Sequence, residues 1–169
     1  MYFAILCQLG LLAYHQTTTL VDLYPFNGVR NASLSERFLE AGVNLVLMGL
    51  APIGFTLGIP ALMVYGVVYY FVLLFFELII WWVPYFATPA GRWFTSYNLA
   101  LSIATGQVGQ QNALTEWASR HRRLHKGTVT LLNPGKGPIR PNLEHMILHG
   151  WTLITAVSTS AAFFELGPT

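Results

Sequence analysis

The sequence predicts an all-α integral membrane protein: four transmembrane helices in a bundle, with a polar loop region between the third and the fourth. Three observations carry this. The stretch from Ala41 to Phe86 holds 46 residues and a single charged side chain, Glu77. The chain of 169 residues is 54% hydrophobic and only 9% charged, where soluble domains carry ~25% charged residues. All nine Lys and Arg residues fall in two segments, 22–40 and 87–141.

A hydrocarbon core of ~30 Å takes about 20 apolar residues at ~1.5 Å rise each, so the 41–86 stretch amounts to two crossings. Leu57-Gly58-Ile59-Pro60 is the break, because glycine and proline punctuate an otherwise apolar run. The spans are expected at about residues 2–23, 36–57, 60–86 and 142–166 of a single domain covering 1–169.

The first span opens apolar at once, with no basic segment ahead of it and no small-residue cleavage pattern, so it is expected to be retained rather than removed as a signal peptide. Gln8, Leu12, His15, Thr19 and Asp22 follow at helical spacing, a largely polar stripe that should face protein or water rather than lipid. Pro25, Asn27 and Gly28 mark a turn. Ser33 and Glu36 then form a capping box ahead of the second helix, on which Glu36, Glu40 and Asn44 share a face. Pro52 is expected to kink that helix.

On the third helix Tyr70, Glu77, Trp81 and Pro84 share a face, and Trp81 to Phe86 resemble an interfacial aromatic cluster. Residues 93–126 are expected to be helical, with Trp93, Tyr97, Leu101, Val108 and Trp117 anchoring at the membrane. This segment closes in a basic run, Arg120 to Lys126, and Asn142 caps the last helix. The lone cysteine, Cys7, excludes an internal disulfide and reads as packing filler.

Four spans put segments 22–40 and 87–141 on one side; three or five would divide the basic residues between faces. The positive-inside tendency then makes both loops cytoplasmic and both termini extracytoplasmic. The basic residues would meet anionic membrane lipid, at ~1 kcal/mol each. Nucleic acid is excluded as a partner, since no basic stripe is interleaved with stacking aromatics.

Orientation fixes depth. His15 falls about 7 residues, or ~10 Å, inside the cytoplasmic end of its helix, and Glu77 about 9 residues, or ~13 Å. Glu40, Asn44, His145 and His149 enter from the same side, which would gather six polar side chains in one layer. Intramembrane ionisable residues are costly and mark sites or paired networks. The leading expectation is a metal site: His145 and His149 at i, i+4, with His15 and Glu77 completing the ligands. Such a His/carboxylate set suits zinc or non-haem iron. Glu77 and Glu40 would then be the catalytic carboxylates, with Asn44 supporting them. A second expectation gives His15 and His149 to haem or another tetrapyrrole as axial ligands. His121 and His125, amid four basic residues, read as a solvated basic face. No Ser/His/Asp set is evident.

The expected function is a metal-dependent membrane enzyme acting on a lipid-soluble substrate. The alternative is a non-enzymatic protein, either a small proton-coupled transporter or an accessory subunit among other membrane-protein subunits.

Overall fold

The computed structural model describes residues 1–86, 97, 101–102, 113–135 and 137–166, and the described residues form helices and no strands. Helix α1 spans Tyr2–Leu20 and α2 spans Leu34–Leu57. Helix α3 opens at Pro60, is α-helical to Glu77, passes through a π-helical stretch at Leu78–Trp82, and resumes over Val83–Phe86. Helix α4 is Ala113–Leu124 and α5 is Leu143–Leu166.

Local chemistry sets these boundaries. The Ser33 side chain accepts from the Glu36 backbone N–H while the Glu36 carboxylate accepts from the Ser33 N–H, so the expected capping box closes in both directions. Gly58 ends α2 in the left-handed region at φ 64°, which a residue without a Cβ adopts at no steric cost. Pro60 sits at the start of α3, where its missing N–H costs nothing. Pro52 lies buried inside α2. The Asn142 side chain accepts from the His145 backbone N–H, and so caps α5 as expected.

Helices α2, α3 and α5 are long and apolar enough to cross a membrane. Helix α1 is not among them, because its last turns, His15 to Thr19, are polar. The bundle nevertheless has the polarity of a membrane protein. Phe3, Leu6, Val46, Phe71, Phe75 and Val157 lie exposed on its outside, while Gln8, Glu77, His149, Thr152, Thr155 and Thr159 are buried within. Water would not favour either arrangement, but lipid favours both.

Inside, α1 joins α5 by a Gln8 Nε2–H donating to Thr159 Oγ1 at 2.9 Å and a Tyr14 hydroxyl donating to the Glu144 carbonyl at 2.9 Å. Leu11, Met48, Ala51, Tyr70 and Ala156 pack where the four long helices meet. On the predicted polar stripe of α1, Gln8 and Thr19 are buried and His15 half-buried, whereas Asp22 is exposed and paired with Arg30 at 3.1 Å.

The segment after α3 corrects one expectation. Tyr97, Leu101 and Trp117 are not membrane anchors but core: they are 3%, 0% and 9% exposed and pack with Trp81, Leu114 and Ile139. Trp93 and Val108 lie outside the described residues. Helix α4 caps one end of the bundle, and the α1–α2 connector is pinned against it. Asn31 Nδ2–H donates to the Leu124 carbonyl at 3.0 Å, and Arg123 Nη1–H to the Asn31 carbonyl at 2.9 Å. A Cβ on Gly28 would come within 2.1 Å of that same Leu124 oxygen, so only glycine permits the approach.

Candidate metal centre

The π-helical stretch positions the site. Its N–H groups reach back five residues, as Val83 does to the Leu78 carbonyl. The Ile79 carbonyl accepts from the Tyr97 hydroxyl at 3.2 Å and the Ile80 carbonyl from Trp117 Nε1–H at 3.1 Å, tying α3 to the cap. Such insertions cluster at functional sites. This one turns two consecutive tryptophans toward the histidines of α4 and α5.

The Trp81 ring is the hub. It lies 3.8 Å from the ring of His145, 5.1 Å from His121, 5.3 Å from His125 and 6.0 Å from His149, centroid to centroid. The imidazoles also touch in sequence, His121 to His125 at 5.0 Å, His125 to His145 at 4.9 Å and His145 to His149 at 5.8 Å. His149 Nδ1 accepts from Trp82 Nε1–H at 2.9 Å.

Among the described residues, one group of donors converges: His125, Glu144 and His145 offer ligand atoms within 4.8 Å of one another. Two imidazoles and a carboxylate is the donor set of open zinc sites and of non-haem iron sites. Asn142 braces it from behind. Its Oδ1 lies 2.6 Å from His145 Nδ1, and its Nδ2 lies 3.4 Å from His125 Nδ1 and 3.3 Å from Thr128 Oγ1. The contact to His145, where Oδ1 can accept from Nδ1–H, is the kind that fixes ring orientation in metal sites. The donors stand at the edge of a cleft of about 280 Å³, walled by Trp81 and Trp117 and shared by α1, α2 and α4.

Burial keeps the outer imidazoles neutral. It pushes His125 down to about 3, helped by His121, and His121 down to about 4 despite a hydrogen bond to the Arg140 backbone. A neutral ring is the form that binds metal. The same shift has a consequence for stability. The unfolded chain takes up a proton at His121 near pH 6.5 and the folded chain only near 4. The stabilisation is therefore complete above pH 6.5 and is lost as pH falls through that window. Melting temperatures of metal-free protein should decline from pH 6.5 to pH 4, and the decline should be shallower in His121→Leu.

Of the residues expected to form the ligand set, His145 is the one in this group. His15 instead faces Glu40, its Nε2 at 3.8 Å from Oε1, and Glu40 is largely exposed at the cleft. Glu77 is buried and accepts from Thr152 Oγ1–H at 2.9 Å. Asn44 donates to the Glu40 carbonyl of its own helix. His145 and His149 stand ring to ring at 5.8 Å, but His149 is not in the converging group, and its Nδ1 accepts from Trp82 Nε1–H. His121 and His125 are a correction: they are not a solvated basic face. His121 is 8% exposed and His125 half-buried, both turned inward onto Trp81. Leu114, Trp117, Ala118, His121 and His125 follow at helical spacing and could have revealed that inner face. Glu144 carried no such signal, since an acid in a first helical turn has a ready explanation in the helix dipole.

For a tetrapyrrole held by His15 and His149, the α1–α5 seam is unfavourable. Tyr14 and Trp151 lie 5.8 Å apart across it and Thr155 Oγ1–H reaches the Cys7 carbonyl at 3.4 Å, so a flat macrocycle would have to part the helices. Comparison with family models, with curated proteins and with solved structures finds no match for this chain.

Proposed function

We propose that this protein is a metal-dependent membrane enzyme which holds one zinc or iron ion at His125, Glu144 and His145 and acts on a lipid-soluble substrate. The observation that carries the reading is the convergence of those three donors within 4.8 Å beside a cleft. Held by these three residues, a zinc or iron ion would supply activation of water or polarisation of a substrate oxygen. Helix α1 completes a four-span bundle in this reading, and the basic segments put the cleft at the cytoplasmic surface, where it meets membrane lipid. Glu40, at the cleft wall, is the carboxylate available for proton transfer.

Elemental analysis of the purified protein, loaded in turn with zinc and with ferrous iron, tests this. One equivalent of metal per chain is expected. A folded protein that retains neither ion refutes it and leaves a second reading, a proton-handling or accessory subunit. That rival draws on the unbroken file of four imidazoles from His121 to His149 and on the buried Glu77.

A further inference from the structure

The cleft contains a chemistry that metal ligation leaves unused. Arg37, from the first turns of α2, and Arg120, from α4, both line it. The Nε–H of each is buried and has no acceptor among the described residues. A buried N–H without an acceptor is costly even where the rest of the guanidinium reaches solvent, as in the half-buried Arg37 and Arg120, and a guanidinium fork is shaped for two oxygens of one oxyanion. Arg120 spends only its outer edge on Glu36, with Nη2 at 3.6 Å from Oε1.

Formal charge narrows the ligand. With Arg123 balancing the Glu36 that it shares with Arg120, Arg37, Arg120 and a divalent ion set against Glu40 and Glu144 would leave an excess of two positive charges. A carboxylate would cancel half of that excess, whereas a phosphomonoester near neutral pH cancels all of it. Size narrows it again, because about 280 Å³ is at the small end of ligand pockets and excludes a bulky headgroup. The surroundings supply the rest: the same first turns of α2 that carry Arg37 into the cleft expose Leu34, Phe38 and Leu39, at 66%, 66% and 70%, on the outer surface of the helix, where acyl chains would lie.

We propose that the cleft binds the phosphomonoester head of an amphiphilic lipid, with Arg37 and Arg120 gripping its oxygens. The proposal deepens the metal-enzyme reading by naming its substrate class, and rests on that reading for the charge excess and for the third contact, from ion to phosphate; the arginine grip itself stands apart from it.

Binding to the full chain in detergent, with zinc and metal-free, tests it by calorimetry with short-chain phosphatidic acid, short-chain phosphatidylcholine and inorganic phosphate. Phosphatidic acid should bind at least about 10-fold more tightly than either of the others, and Arg37→Gln and Arg120→Gln should each weaken it about 10-fold. Equal binding by wild type and Arg37→Gln overturns the proposal, as does equal binding of the two lipids. Inorganic phosphate binding as well as phosphatidic acid overturns the lipid assignment and leaves free phosphate as the occupant. Arg120→Gln also loses the Glu36 contact, so Arg37→Gln decides alone where Arg120→Gln does not fold. The metal-free arm separates the two readings. Arginine-dependent lipid binding in protein that takes up no metal keeps this proposal and sinks the metal centre. Metal uptake without arginine dependence does the reverse.

Discussion

Replacing His145 with alanine should abolish stoichiometric metal binding, while replacing His149 should leave it intact. His145 is one of three converging donors, and losing it exceeds the ~10–100-fold penalty that follows loss of a mere outer partner. His149 turns its Nδ1 to Trp82 and stands outside the group. The measurement is metal per chain after dialysis, with helicity by circular dichroism as the folding control. Metal lost from both variants would restore the i, i+4 pair as the ligand set. Metal retained by His145→Ala would refute the centre.

The second large effect is on stability. Trp81 is 6% exposed and contacts four imidazoles as well as Trp117, whose ring centroid lies 5.6 Å away. Truncating a buried tryptophan to alanine costs about 3–5 kcal/mol, through lost burial and the cavity left behind. Here the loss falls on the joint between bundle and cap. Trp81→Ala should therefore release α4, exposing the 113–124 segment to proteolysis before the α1–α2–α3–α5 bundle unfolds, and should lower metal affinity through His125. Trp81→Phe, which keeps an aromatic face, should restore most of both. Limited proteolysis followed by thermal unfolding reads the order. Simultaneous loss of cap and bundle would show that the two do not separate.

What was legible in the sequence was whatever one helix decides for itself. The Ser33–Glu36 box, the Gly58–Pro60 break and the Asn142 cap are short-range chemistry, and each stands in the structure as the residues imply. The inward face of Tyr70, Glu77, Trp81 and Pro84 was equally legible, since periodicity alone puts them together and all four are buried. The centre was not, because it depends on how the cap folds back. A basic run around His121 and His125 gives the composition of a solvated surface, yet Arg122 and Arg123 face outward while His121 and His125 turn inward. Spacing could pair His145 with His149 but could not foresee that Trp82 would bond His149. Glu144 joins only because α4 brings His125 to the first turn of α5.

The five-residue hydrogen-bond stretch at Leu78–Trp82 gives chain length a meaning here that composition lacks. It accommodates one residue more than an unbroken α-helix would need to cover the same distance. Deleting a single isoleucine from this stretch would leave an equally greasy rod that still docks Tyr70 below. The widened turn would close into ordinary α-helix, so the segments on either side would keep their places while the two indoles, which stand within it, would shift away from the imidazoles. A chain so shortened should insert and fold, yet arrive without its centre.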